Sequence, residues 1–416
     1  MTAAADDGFE SEEHIAKTAE DASKKPSVPP LAKHFLVVIF TTISASAKHK
    51  HTFLVARYGL TSIDAMCLDK VLTEAYLALA RDGWITVQVA GDGASENRSY
   101  NKLVATITAR QLFDGFYIDE FVEGLPLDFP IAFPHPDPYL RKNGVIISIG
   151  GEMPHWGKKM RNNTCSPTRT LTYKGKTVEL ASMENVWVAM GDSDLTTASL
   201  RKYKFTWDHY RLNAYNKMRV FLALQVLSQT MIDMIKDYCK PVEEGGKGGD
   251  IADFEPMIEI ITAVNRLVDI MNGVRYKNGK DKQVFLIDSP HHPHIFELFE
   301  ILRLFEDWKE EAGGFTDKFI TRQTYEDLVW MVFGVAAIAC TCLEEDESLV
   351  FHQGRSGSDP CEHFFAMIKN INPNPTLQQL RQCSSKCANF IKSSSLSRER
   401  TTQLEHRKII LTTCNQ

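Results

Sequence analysis

At 416 residues, 44% of them hydrophobic and 24% charged, the chain is long enough for two or three domains, or for one domain carrying a large insertion. A net charge of -6 excludes a surface coated throughout with nucleic-acid-binding charge, which leaves only local basic clusters: Lys48-His49-Lys50-His51, Lys158-Lys159-Met160-Arg161 and Arg201-Lys202-Tyr203-Lys204. Nine cysteines, an odd number without a paired framework, fit a reducing compartment and argue against a disulfide scaffold.

The N-terminal MTAAADDGFESEEH is acidic and has no apolar h-region, so it does not read as a signal peptide. Residues 1–31 are polar, end in a proline-rich stretch and are expected to be disordered. Phe35–Thr42 and Thr52–Tyr58 read as strands, and Ser62–Arg81 as an amphipathic helix carrying Ile63, Leu68, Val71, Leu72, Ala75 and Leu79. Thr86–Val89 then alternates as a strand should and runs into a turn in which Gly91 and Gly93 bracket Asp92. Ser95 is the expected N-cap of a helix reaching about Ala109. Asp92 thus falls at the carboxyl edge of a strand, where α/β sheets bind ligands and metals, although a turn aspartate between glycines is also common.

Five prolines in Gly124–Pro138 predict a loop, followed by a short buried strand at Gly144–Ile149. From about 180 to 343 the pattern is nearly all helical. The predicted helices are Thr206–Tyr238, Phe254–Asn272, Pro293–Glu311 and Gln323–Leu343, with Glu243–Asp250 as a breaker. The first of these would put Tyr210, Tyr215, Met218, Phe221, Leu222, Val226 and Met231 on its apolar side. The apolar run Leu328–Leu343 is short for a membrane span, and no membrane association is expected. Cys340-x-Cys342 and Cys383-x₃-Cys387 lack a complement of zinc ligands. Two more helices are predicted at Pro360–Asn370 and Leu377–Ile391, then a polar, frayed tail over Ser393–Gln416.

In Gly357–Asn370, Asp359 as N-cap, Pro360 at the first helical position and Glu362 on the first turn form a capping box. The same placement lets Glu362 face Asp92, and two carboxylates meeting at a strand end are what Mg²⁺ asks for. Capping and metal binding can coexist.

Several segments together resemble the P-element-like eukaryotic transposases. They are GDGASENRSYNK within Gly83–Lys102, MPHWGKKMRNN at Met153–Asn163, FTWDHYRLNAYNKMRVFLALQVLSQT at Phe205–Thr230, VNRLVDIMN at Val264–Asn272, and SDPCEHFF at Ser358–Phe365 followed by Asn372–Thr376. The resemblance runs from about Leu31 to Ile391. It implies a mixed α/β, RNase H-like domain at residues 32–180, interrupted by an all-α insertion at 181–348 and completed by helices at 349–392, flanked by the segments 1–31 and 393–416. It also implies a DNA strand-cleavage and transfer chemistry run by three carboxylates on Mg²⁺. Asp92 corresponds to the second carboxylate, Glu362 to the third, and Asp359 accompanies it in the motif.

The first carboxylate has no counterpart. The resemblance puts it on a central strand beside that of Asp92 and preceding Phe35–Thr42, so the chain is expected to be N-terminally truncated and catalytically impaired. Glu152 stands where the pattern has aspartate before Pro-His, and no THAP-type zinc finger precedes the core. Lys158, Lys159 and Arg161 are the implied DNA contacts, and Lys158, Asp269 and Asn272 the residues for a guanine nucleotide. For Asp269 and Asn272 an exposed polar helix face is the competing reading. Nuclear residence and a homo-oligomer follow from the resemblance only. The alternatives are a non-catalytic DNA- or protein-binding scaffold of the same fold, and an unrelated α/β enzyme in which Asp92 and Glu362 never meet.

Overall fold

Alternation within β1, His34–Thr42, sets the layering of the molecule. Leu36, Val38 and Phe40 enter one core with helix α1, Ala65–Arg81, while Phe35, Val37 and Ile39 enter another with Cys361, Phe364, Phe365 and Ile368. A strand buried on both faces reads as a continuous apolar run, and FLVVIF is one. The computed structural model describes residues 34–42, 52–91, 94–117, 119–140, 144–191, 202–277, 281–343, 349–357, 359–373, 378–379, 382–383 and 408–415. Residues 1–31, Asp92 and most of the predicted helix Leu377–Ile391 therefore lie outside the described residues.

In chain order, β1 is followed by β2 (Thr52–Leu60), α1, β3 (Ile85–Gly91), α2 (Ser95–Val104), β4 (Ile107–Thr108) and α3 (Ala109–Phe113). Then come α4 (Asp119–Val122), β5 (Pro130–Pro134), β6 (Val145–Ile149) and α5 (Met153–Thr164). The small hairpin β7–β8 (Thr172–Tyr173, Lys176–Thr177) leads into the helical block. That block holds α6 (Leu180–Ala189), α7 (Trp207–Tyr210), α8 (Val220–Val226), α9 (Gln229–Tyr238), α10 (Glu255–Asn272), α11 (Pro293–Glu311) and α12 (Arg322–Ile338). A hairpin, β9–β10 (Val274–Lys277, Asp281–Val284), interrupts it, and α13 (Asp359–Ile371) and β11 (Lys408–Asn415) close the chain.

The seven-stranded sheet has the order β2-β1-β11-β3-β6-β5-β4. β11, the last strand of the chain, thus lies between β1 and β3. It runs antiparallel to β1, with Val38 opposite Thr413 and Thr42 opposite Ile409, and parallel to β3, with Thr413 beside Gly91. The expectation of a frayed tail over 393–416 is corrected for these residues. Ile409, Ile410, Thr412 and Thr413 are β-branched, and the facing edges of β1 and β3 supply the hydrogen-bonding partners that make a strand stable.

Three other expectations change. The proline-rich loop at 124–138 contains β5, because Pro130 and Pro134 fall at the strand's two ends, where a missing N–H costs least. The single helix expected over Thr206–Tyr238 is broken into α7, a 3₁₀ turn at Asn216–Met218, α8 and α9. Ser95 is the first helical residue of α2, with Ala94 as the N-cap.

α12 is the axis of the helical block. Arg322–Leu343 is long and apolar enough to cross a membrane, but 89% of its most apolar window is buried inside the protein. It packs on β6 so closely that a Cβ on Gly334 would lie 2.7 Å from Ile149, which is why glycine occupies this turn. The largest core runs from Val87, Ile147 and Ile149 of the sheet through α12 to α10 and α11, so the insertion and the sheet share one interior.

Candidate site at the carboxyl edge of the sheet

Three elements converge where β3 and β6 end. β3 stops at Gly91, one residue before Asp92, and β6 runs parallel to it, with Ala90 beside Ile149. Past β6 the chain turns at Gly150-Gly151 into α5, with Glu152 as the N-cap residue and Pro154 in the first turn. The segment leading to α13 is tied to β3 by Gln88, which is fully buried and donates from Nε2 to the Ser356 carbonyl at 2.9 Å. These constraints carry the first turn of α13, with Glu362, to the start of α5.

There Glu152, His155 and Glu362 each bring a ligand atom to within 4.8 Å of the other two. The Glu152 carboxylate is almost fully buried and does not cap its helix; Oε1 instead meets His155 Nδ1. On the other side of the ring, His155 Nε2 lies 3.6 Å from Glu362 Oε1, whose side chain is half exposed. Burial pulls the His155 pKa down, but the hydrogen bond and charge of Glu152, with Glu362 adding to them, raise it above the ordinary histidine value. An imidazole held between two carboxylates can pass a proton. With the proton removed, Nε2 and a carboxylate oxygen can hold a borderline divalent metal whose histidine ligand is oriented by Glu152.

The structure places Glu362 beside the start of α5, and the backbone of Asp359 opens α13; the expected pairing of Glu362 with Asp92 lies outside the described residues. The partner it gives Glu362 is His155. Its sequence signal was present as the spacing Glu152-x-x-His155, which sets the N-cap side chain beside the first turn of α5, but the third member comes from far along the chain.

Mg²⁺ asks for an all-oxygen octahedron, and the donor set around Glu362 includes an imidazole. Among the described residues the set does not fit Mg²⁺, and no step is derived through that ion.

The basic residues of α5 turn inward. Arg161 is fully buried and donates from Nη2 to the Asn216 carbonyl at 2.7 Å. Burial depresses its pKa, and Cys165 acts in the opposite direction. Lys159 pairs with Asp327, whose side chain is 1% exposed and lies 3.8 Å from Arg98. Lys158 is buried as well. The expectation that Lys158, Lys159 and Arg161 contact phosphates gives way to an internal role for Arg161, a desolvated cation committed to a protein acceptor and out of a DNA strand's reach. Lys158 is buried too, and Lys159, a quarter exposed, is committed to Asp327.

For the nucleotide, Asp269 is buried on α10 and Asn272 is exposed at its end, so the two do not form one exposed polar face. Asn272 borders a cleft of about 40 Å³ shared with Glu152, Met153, Met271, Gln353 and Gly354. Ligand sites run to roughly 300–1,000 Å³, so this cleft does not fit a guanine nucleotide.

Comparison with known proteins gives one answer. No protein-family model matches the chain, and no curated protein matches it. Among solved structures, the chain is similar to the Drosophila P element transposase strand transfer complex, with a TM-score of 0.58 over 88% of this chain and 78% of that one, at 16% identity. The chain has the fold of the P element transposase. The mixed sheet followed by the helical block α6–α12 is consistent with an RNase H-like core carrying a helical insertion, and β11 lies inside that sheet, between β1 and β3.

Proposed function

We propose that the protein is a P-element-like transposase scaffold that binds DNA and is impaired in metal-dependent strand cleavage. The observation that carries the second half is the identity of the strand between β1 and β3. Between β1 and β3, beside the strand that leads to Asp92, lies Lys408–Asn415, and KIILTTCN contains neither aspartate nor glutamate. A three-carboxylate site with its first position on that strand would lack it, leaving Asp92 and Glu362 to hold metal alone. Two carboxylates with water can hold one Mg²⁺, but in-line displacement by two metals needs two ions fixed side by side, and without the carboxylate between them the pair loses the ligand that would set their spacing.

DNA as the partner is supported by the fold it shares with a transposase captured in a strand transfer complex. Nuclear residence and self-association belong to the same proposal. A labelled duplex incubated with the full-length protein, first in EDTA and then in Mg²⁺ or Mn²⁺, tests both halves. The expected result is binding that weakens steeply with salt, without metal-dependent nicking. Nicking that is lost in Asp92→Asn and in Glu362→Gln would overturn the impairment. Failure to bind duplex at low salt would leave a protein-binding scaffold.

A further inference from the structure

Twelve large apolar side chains are exposed among the described residues, and four of them, Trp207, Tyr215, Met218 and Phe221, fall within one short stretch of the helical insertion. Tyr215 and Met218 are each 67% exposed and Phe221 54%. Residues 202–221 also hold five lysines and arginines against a single aspartate, in a chain whose net charge is -6. Two of the five are ion-paired from outside the stretch, Lys202 with Asp237 and Arg211 with Glu184, so the charge offered to a ligand rests on Lys204, Lys217 and Arg219. The charges and rings are interleaved. The Arg211 guanidinium lies 3.8 Å from the centre of the Trp207 ring, and that of Arg219 lies 4.3 Å from Tyr215 and 5.6 Å from Phe221. Arg219 also donates to the Tyr215 hydroxyl.

This face is held from below. Asn216 is buried: its Oδ1 accepts from the Asn213 amide at 2.7 Å, and its Nδ2 donates to the Arg211 carbonyl at 2.7 Å. Asn213 Oδ1 in turn accepts from the amides of Tyr215 and Asn216, each at 2.9 Å, and Arg161 fixes the Asn216 carbonyl. Trp187, fully buried, stacks on Tyr210 and meets Trp207 edge-on. The exposed rings are therefore presented by a cross-bonded loop whose polar groups are spent inward. A face meant only for solvent has no use for apolar surface displayed in this way.

We propose that the Trp207–Phe221 face binds single-stranded DNA, with unpaired bases stacking on Tyr215 and Phe221 and phosphates meeting Arg219 and Lys217. Rings with guanidinium groups between them are the arrangement that unpaired nucleotides use, because every base has a face to stack and every link a charge to neutralise. A duplex hides its bases and offers such a surface only phosphates. An apolar protein partner would gain nothing from the excess of positive charge. The proposal does not depend on the carboxylate edge, and its failure would leave duplex binding and cleavage untouched.

The test is fluorescence anisotropy of the full-length protein with three labelled 20-mers: oligo-dT, a mixed-sequence DNA duplex and oligo-rU. Tyr215→Ala and Phe221→Ala should each weaken oligo-dT about tenfold and leave the duplex within about twofold, while Tyr215→Phe keeps the wild-type affinity. Arg219→Ala should also make the oligo-dT salt dependence shallower, by about 0.7 in log–log slope for each phosphate no longer neutralised. Unchanged oligo-dT binding in the Tyr215→Ala/Phe221→Ala double variant overturns the proposal. So does equal weakening for oligo-dT and duplex, which would mean phosphate binding without stacking, or tighter binding of oligo-rU than of oligo-dT. Thermal melts of each variant show that the fold is retained, as exposed positions allow.

Discussion

Two stretches rich in lysine and arginine look alike in the sequence and end in opposite surroundings. In α5, Lys158, Lys159 and Arg161 are drawn into the protein, where Lys159 meets Asp327 and Arg161 meets the Asn216 carbonyl. In residues 202–221 the cations stay at the surface: Lys202 pairs with Asp237 and Arg211 with Glu184, and Arg211 and Arg219 lie over exposed aromatic rings. The two are joined, because the carbonyl that Arg161 anchors belongs to the loop that displays Tyr215. A run of positive charge therefore says little about nucleic acid until the partners of each cation are known. What distinguishes the second stretch is that four of its apolar side chains, Trp207, Tyr215, Met218 and Phe221, are outside too.

The largest expected effect is at the buried end of this link. Arg161→Ala removes the hydrogen bond to the Asn216 carbonyl and opens a cavity beneath the loop. It should lower the unfolding free energy by about 3 kcal/mol, read from the denaturant midpoint. Amide exchange at residues 213–219 should lose protection in the same variant. A loss under about 0.5 kcal/mol, as for an ordinary surface change, would mean that α5 does not hold the loop and would dissolve the comparison.

Much of the fold was legible because its signals are local. The strands announce themselves by β-branched residues, in buried apolar runs for β1 and β6 and with alternation in β3. Pro293 and Gly273 mark a helix start and a helix end where the structure has them. The long helix expected over 206–238 failed because apolar spacing was weighed without Asn213 and Asn216. Their side chains bond the backbone and compete with the helix. β11 could not be seen from KIILTTCN alone, since its strandedness comes from two edges formed by residues near the other end of the chain. At the candidate site, Glu362 was a candidate from its motif. His155 did not, because the separation that makes it a partner of Glu362 closes only in three dimensions.

A smaller effect separates the interior of the insertion from its surface. His209, on α7, is 2% exposed; Nε2 meets Gln225 Oε1 at 2.7 Å, and Nδ1 accepts from the Thr206 amide at 3.0 Å. Burial lowers its pKa, against the hydrogen bonds with Gln225 and Thr206, which raise it. The unfolded chain thus takes up the proton more readily than the folded one. Stability from this group is complete above the unfolded value, about 6.5, and is lost as pH falls from there to the lowered folded value. Melting temperatures measured from about pH 7.5 downward should decline less in His209→Gln than in the parent chain. Since His135 and His292 are also lowered by burial, the difference between the two profiles is the quantity to read. Parallel profiles would remove His209 from the account.

The smallest expected effect is at the exposed rings, and it bears most directly on what they are for. An exposed cation–π pair contributes roughly 0.5–1 kcal/mol, part of which the released arginine recovers in water. Tyr215 and Phe221 leave little of their area buried to lose. Tyr215→Ala and Phe221→Ala should therefore each change the unfolding free energy by no more than about 0.5 kcal/mol, measured by the same denaturant titration as Arg161→Ala. A cost above about 1.5 kcal/mol would show that the rings brace the loop, and that their exposure serves the fold instead of a partner. A cost near zero, beside a large one at Arg161, would mean that the loop is held from inside while its outer rings are stabilised by nothing in this chain. Surface of that kind is retained against its tendency to aggregate only where something binds it.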